Sequence, residues 1–343
     1  MPAARRLALL LLLPLLVAVG ACGSGQDDTA ASSTTSAAAA GSFPATVRHK
    51  YGTTTVPAAP KRVVVVGLRE QDPLLALGVA PVATTEWYGK DPGALEPWAR
   101  AKLAGRALPT VLPSSDDIDI ERVAAQRPDL IIGIDSAMTR QQYETLTRLA
   151  PTVAPPSGTI DYGTSWQQQL EMVGAALGRT DEAARLQAQV ERQIRAVAAA
   201  HPDWRGKEAV NATDSEGFYV YGPKTANSQL LAQLGFAFPA ALRGVGGRDG
   251  FGGSISSERA DLLDIDLILW DFATAKDRSA ITDDPTYARL AVHREGREVF
   301  EQESSPLYDA LSKTSVLSVP VALRLLAPRF DTALDGDPAT SSE

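Results

Sequence analysis

Residues 117–133 read DIDIERVAAQRPDLIIG, and residues 254–270 read SISSERADLLDIDLILW. The two align without a gap at an offset of 137, with identity at Ile118/Ile255, Glu121/Glu258, Arg122/Arg259, Asp129/Asp266, Leu130/Leu267 and Ile131/Ile268. Each copy holds the same element: a capping residue (Asp119 or Ser256), an acid in the first helical turn, then an apolar run suited to a buried strand. A helix dipole favours such an acid by ~0.3–1 kcal/mol, which is reason enough to find Glu121 and Glu258 there. A sharper reading is that equivalent edges of two lobes present these carboxylates to one partner. Repetition of a helix–strand unit argues for two related α/β lobes.

Working outward, the pattern repeats strand and helix. Residues 46–49 and 53–56 flank Lys50-Tyr51-Gly52 as a small hairpin, and residues 63–66 (VVVV) form a buried parallel strand. Further strands are expected at 79–84, 110–112 and 130–134, with helices at 73–77 and 120–126. Residues 165–200 are helical: Trp166, Leu170, Val173 and Leu177 make one apolar stripe, and Ala183, Leu186, Val190, Ile194 and Val197 make another. Gly178-Arg179-Thr180-Asp181 separates them, with Thr180 as N-cap, and the second helix is about 30 Å long at 1.5 Å per residue. Strand and helix patterns resume at 209–212, 218–221, 229–234, 262–270, 299–300 and 316–328. The expected organisation is a first lobe over 46–163, an inter-lobe helical segment over 164–201, a second lobe over 202–332 and a disordered acidic tail over 333–343.

The chain has 343 residues and a net charge of −8, with one Cys and three His (His49, His201, His293). That length suits about two domains of roughly 150 residues. The acidity argues against nucleic-acid binding, and a Cys/His zinc site or a disulfide scaffold is impossible with one Cys. That Cys closes the leader. Arg5 and Arg6 precede 15 apolar residues, too few to span a bilayer at about 20, and Gly20-Ala21 then stand before Cys22. Residues 1–21 are therefore expected to be a lipoprotein signal peptide, with Cys22 the acylated first residue of a mature chain of charge −10. More than one acyl chain holds a protein stably to a membrane. Residues 22–45, small and polar, form a flexible tether, so the folded part is extracytoplasmic.

Ligands of α/β lobes bind just past the C-terminal ends of the strands. That rule selects Arg69, Trp87, Tyr88 and Asp135-Ser136 in the first lobe. In the second it selects Tyr219, Tyr221, Trp270-Asp271-Phe272 and the Gly-rich loop 244–253, which carries Arg248 and Phe251. Aromatic faces cover a bulky organic ligand, and Arg donates to oxygen-rich groups. The Gly-rich loop lacks the Lys-Ser/Thr of a phosphate-binding loop, and Asn211-Ala212-Thr213 has glycosylation spacing but lies in a strand pattern. A secreted hydrolase is the competing class, but no G-x-S-x-G elbow is present and no His stands in a general-base setting.

Eight segments in order, VPAAPKRVVVVG, LLALGVAPVA, IERVAAQRPDLIIG, YETLTRLAPTVA, GAALGRTDEAARL, SQLLAQLGFAFP, SSERADLLDIDLIL and LAVHREGREVF, together resemble the substrate-binding lipoproteins of ABC importers for ferric siderophores, haem and vitamin B12. Val19-Gly20-Ala21-Cys22 resembles a lipobox. The resemblance runs from about Val56 to Arg329 and implies two Rossmann-like lobes joined by a single long helix, with the ligand between them. It implies that Glu121 and Glu258 meet arginines of a permease, and that the chain, a monomer, works with that permease and its ATPase. No enzyme activity, cofactor or direct metal ligand is implied; the cargo is an Fe(III)–siderophore complex, with haem or cobalamin/cobinamide the alternative. Relatives that bind hydroxamate siderophores carry an Arg after the strand matching 110–112. Here that turn is Pro113-Ser114-Ser115 and Arg106 precedes the strand, so the siderophore class stays open. Haem relatives use a Tyr or His axial ligand, for which Tyr219 and Tyr221 are available, and manganese or zinc relatives need a His-rich site that is lacking here.

Overall fold

The computed structural model describes residues 41–87, 91–113, 117–214, 217–245 and 250–340. Strands β1 (Ala45–His49) and β2 (Gly52–Val56) form the expected antiparallel hairpin, paired from Ala45↔Val56 to His49↔Gly52. The first lobe follows as β3 (Val63–Val65), α1 (Gln71–Ala76), β4 (Ala83–Thr85), α2 (Pro97–Arg100), β5 (Thr110–Leu112), α3 (Ile120–Ala125), β6 (Leu130–Ile132), α4 (Arg140–Leu146) and β7 (Thr152–Val153). Its five strands are parallel, in the order β5-β4-β3-β6-β7. Val63 and Val65 join one buried cluster and Val64 and Val66 another, so both faces of β3 are covered, which is why it reads as an unbroken apolar run. The strand expected at 79–84 is confined to Ala83–Thr85. Gly78 turns left-handed at φ +76°, and the Gly78 and Val79 amides donate to Leu75 and Leu74 carbonyls, so these residues cap α1 instead.

The chain then runs through α5 (Trp166–Ala176) and α6 (Thr180–Ala200). Thr180 lies inside α6, and Arg179 occupies the cap position without a side-chain bond. The anticipated stripes face inward: Trp166, Leu170, Val173 and Leu177 are buried, as are Ala183, Val190 and Ile194, while Leu186 and Val197 pack at the edge.

The second lobe contains β8 (Ala209–Asp214), β9 (Phe218–Tyr221), α7 (Ala226–Leu234), β10 (Gly252–Ile255), β11 (Leu267–Phe272), α8 (Ala275–Thr282), α9 (Ala291–Arg294), β12 (Glu298–Gln302), α10 (Pro306–Lys313) and α11 (Val319–Ala333). Its sheet runs β10-β9-β8-β11-β12, with β8, β11 and β12 parallel and β9 antiparallel to both its neighbours, β8 and β10. One apolar layer continues from Val65 and Leu74 of the first lobe through α5 and α6 to Leu269, Val299 and Phe330 of the second. Continuous burial of this kind opposes free hinging, since separating the lobes would expose it at about 25 cal/mol per Å². Beyond α11, Thr340 donates to the Asp335 carboxylate at 2.9 Å, so residues 335–340 close a turn where a disordered tail was expected.

The internal repeat has a structural cause. In each lobe its strand is the parallel neighbour of the lobe's first sheet strand: Val63↔Leu130 in one, Ala209↔Leu267 in the other. The shared Asp lies one residue before that strand and caps the neighbour. Asp129 accepts from the Lys61 and Arg62 amides at 2.8 Å each, and Asp266 accepts from the Glu208 amide at 2.7 Å. The helices differ. α3 is α-helical with Asp119 accepting from the Arg122 amide, whereas Ser257–Leu263 is a 3-10 helix bent at Arg259 with no side-chain cap from Ser256.

Candidate functional site

Both sheets reverse strand order between their first parallel strand and the repeat strand, that is between β3 and β6 and between β8 and β11. Loops diverge at such a point and leave a crevice. In the first lobe a buried carboxylate ties it together. Glu70 accepts from the Arg69 amide at 3.0 Å and from the Asp135 amide at 2.6 Å, joining the turn after β3 to the turn after β6. Burial, with the nearby Asp135 charge second, pushes the Glu70 carboxyl up to about 7. A Cβ at Gly67 would stand inside the Glu70 carboxylate, which explains the glycine.

Arg69 reaches the crevice, but not as a free donor. It is 2% exposed. Its Nε donates to Asp135 at 2.6 Å, Nη2 to the Thr164 carbonyl at 3.1 Å and Nη1 to the Lys313 carbonyl at 3.3 Å. The side chain therefore fastens the first switch point to the inter-lobe segment and to the end of α10. Around it the joint is polar and buried. Ser315 hydrogen-bonds Asp72, Trp98 Nε1 donates to Asp72 at 2.9 Å, and Lys313 pairs with Glu96 at 3.3 Å, both side chains 4% exposed. Burial pushes the Glu96 carboxyl up to about 7 against the opposing pull of Lys313.

In the second lobe the strand period of two decides which aromatic faces the crevice. Trp270 points into the lobe core at 0% exposure, its Nε1 donating to Tyr287 Oη at 2.9 Å and to Glu298 at 3.2 Å. Its ring packs 5.5 Å from Tyr287 and 5.9 Å from Phe218, so the ligand contact expected of it is corrected to a core role. Asp271, one residue on, faces the cavity instead. Tyr219 and Tyr221 share a face of β9, their ring centroids 5.4 Å apart, and Phe251 stands 6.2 Å from Tyr221.

An open hollow lies between the lobes, lined by Arg69, Trp87 and Tyr162 on one side and by Tyr221, Phe251 and Tyr308, above a polar floor of Asn227 and Asp271, on the other. Lys313 Nζ lies 5.3 Å from the Trp87 ring centroid, linking that wall to the joint. Tyr162 also borders a hollow of about 740 Å³ at the strand ends of the first lobe, with Thr85, Asp117 and Ser136, and another beside Tyr219 and Phe251. Of the residues named from the sequence, Arg69, Trp87 and Tyr221 border the hollow between the lobes and Tyr219 borders the one beside Phe251, while Cys22, Tyr88 and Arg248 lie outside the described residues. Sequence reasoning missed Tyr162, Tyr308 and Asn227. Tyr308 sits on an amphipathic helix and reads as core; the one signal for Tyr162 was a lone aromatic in a Pro/Gly/Thr-rich loop. None of the three His lines the cleft. His49 bonds Thr54 at 2.9 Å, His201 pairs with Asp331 at 2.7 Å, and His293 pairs with Glu298 at 2.8 Å.

Glu121 and Glu258 both stand exposed in the first turn of their helices, at equivalent positions of the two lobes.

Residues 63–300 match the periplasmic binding protein family. The chain belongs to that family. Among curated relatives, it is 30% identical over 211 residues to the Fe(3+) dicitrate-binding periplasmic protein FecB of Escherichia coli, covering 59% of this chain and 65% of that protein. It is 28% identical over 198 residues to the probable siderophore-binding lipoprotein YfiY of Bacillus subtilis, covering 57% of each. The matches thus span about three-fifths of those relatives. Among solved structures, a periplasmic solute binding protein of Mycobacterium smegmatis aligns with TM-score 0.74 and 34% identity over 84% of this chain and 98% of that one. PiaA of Streptococcus pneumoniae, in complex with ferrichrome, shares the fold at TM-score 0.75 and 23% identity, covering 85% of this chain and 99% of that one. The two-lobed α/β fold expected from the internal repeat is the fold of this family.

Proposed function

We propose that the chain is the extracytoplasmic binding component of an ABC importer, carrying a ferric siderophore complex in the cleft between its lobes. The observation that carries this reading is the aromatic-walled cavity at the paired switch points, in a chain whose curated relatives include ferric-citrate and siderophore binders. Trp87, Tyr162, Tyr221, Phe251 and Tyr308 offer flat apolar faces to the organic shell of a chelate, while the iron keeps its own oxygen ligands. The protein works as a binder and not as an enzyme, as a monomer held to the membrane by acylated Cys22 and the 22–45 tether. Glu121 and Glu258 dock to arginines on the permease; two charge pairs far apart set orientation and on-rate more than affinity. The test is a titration with ferric siderophores, haem and cobinamide, followed by tryptophan fluorescence. Quenching by a ferric chelate that Trp87→Phe diminishes supports the reading. Saturable binding of haem or cobinamide with none by any ferric chelate overturns it.

A further inference from the structure

The floor of the cleft carries a carboxylate whose hydrogen bonding is half complete. Asp271, next to last in β11, pairs with Thr213 of β8 and Glu301 of β12, and its side chain lines the inter-lobe cavity at 9% exposure. One oxygen, Oδ2, accepts from Asn211 Nδ2 at 3.0 Å. Asn211 Oδ1 in turn accepts from Asn227 Nδ2 at 3.1 Å, and Asn227 Oδ1 accepts from the Thr314 hydroxyl at 2.7 Å. Asp271 is thus the acceptor at one end of a chain of side-chain hydrogen bonds, and the Thr314 hydroxyl, which also meets the Leu311 carbonyl, stands at the other. A carboxylate offers about four lone-pair sites, and this one uses few of them. Oδ1 receives no hydrogen bond among the described residues, and Asp271 belongs to the wall that a ligand would cover.

Two further acids lie near it, Glu301 and Glu303, of which Glu301 is itself paired with Arg329. Burial, followed by the opposing effect of the Asn211 bond and by the charges of Glu301 and Glu303, leaves the Asp271 carboxyl at about 7. Arg69, the cation among the described residues of this wall, turns its donors to Asp135, Thr164 and Lys313. A ligand that closes over ionised Asp271 must supply a donor or leave a buried acceptor unmade, and a positive donor also favours that ionised form over the neutral carboxyl that burial promotes.

We infer that Asp271 is a specificity-determining residue that selects ferric chelates bearing a protonated amine over neutral and polyanionic ones. This rests on the siderophore reading above and narrows its cargo to a charge class.

The experiment compares ferrioxamine B, whose terminal amine is protonated at neutral pH, with the same chelate acetylated on that amine, alongside ferric citrate and a ferric tris-catecholate. Affinities are read by fluorescence titration on the whole mature protein and on Asp271→Asn. The expected result is at least tenfold tighter binding of the amine form than of the acetylated form by the unmodified protein. In D271N the amine form should lose about tenfold and the ratio between the two should fall to within threefold. The pair of chelates tests the idea in the unmodified protein even if D271N folds poorly. Equal binding of the two forms overturns the inference, as does binding confined to citrate or catecholate chelates; both leave the siderophore reading standing. Binding of none of the four, with haem or cobinamide bound instead, overturns the siderophore reading itself.

Discussion

Lys313→Met tests whether the buried joint between the lobes is held by charge. Met keeps the aliphatic stem beside Trp87 and removes the ammonium that lies 3.3 Å from Glu96. What remains is a carboxylate 4% exposed, facing Asp72 and Asp91 with its cation gone. Breaking one side of a buried pair costs about 3–5 kcal/mol, because the surviving charge keeps its desolvation penalty. The penalty depends on pH in a defined sense. Glu96 already titrates at about 7 in the folded protein against 4.5 unfolded, so the fold binds its proton more tightly than the unfolded chain does. Stability from that proton is present below the unfolded value and is lost as pH rises through about 7. Without Lys313 the folded value climbs further. At pH 5 the variant's Glu96 is neutral and the deficit shrinks to the lost ammonium contacts, about 1–2 kcal/mol; at pH 8 the full 3–5 kcal/mol applies. Urea unfolding of both proteins at pH 5 and pH 8 reads the difference. Glu96→Leu combined with Lys313→Met should return to within about 1 kcal/mol of the parent, since an apolar pair of similar volume carries no desolvation cost. A single-variant deficit independent of pH, or a double variant worse than the single one, would refute the reasoning.

Two further outcomes are expected. Glu121→Arg combined with Glu258→Arg should abolish siderophore-dependent uptake in cells while leaving chelate affinity of the purified protein within twofold; normal uptake would remove the docking role. Trp270→Phe, which loses the bonds to Tyr287 and Glu298 but keeps a ring in the core, should cost about 1–2 kcal/mol in thermal unfolding, as one or two buried hydrogen bonds do. Its chelate affinity should not change, and a tenfold loss would return Trp270 to the cleft.

The joint explains how two lobes behave as one body. Arg69 reaches the Thr164 and Lys313 carbonyls, Ser315 meets Asp72, and the apolar layer from Val65 to Phe330 passes behind them. Of these partners, Thr164, Lys313 and Ser315 lie 95, 244 and 243 residues from theirs. No local pattern announces such pairs.

What the amino-acid order determined by itself was periodic or repeated. Apolar runs such as 63–66 announce strands buried on both faces, the stripes of 165–200 announce helices with one inward side, and the 137-residue offset announces two copies of one unit. These features follow from spacing along one element, where side-chain direction depends only on residue number. A separate rule, that ligands sit past strand ends, picked out Arg69 and Trp87; Tyr219 and Tyr221, which it also picked, lie within β9, antiparallel to β8, and border hollows through the face they share. Tertiary structure alone decided which of two adjacent residues faces the cleft. Trp270 and Asp271 are one residue apart, and the register of β11 against β8 and β12 sends the indole into the core and the carboxylate to the cavity floor. It also decided that Arg69 is a clamp, because its partners come from three distant segments. The shared Asp129 and Asp266 were visible as identities, but their purpose, capping the neighbouring strand, appears only once that strand is beside them. A sequence specifies direction within an element; the partner across space is set by how the elements pack.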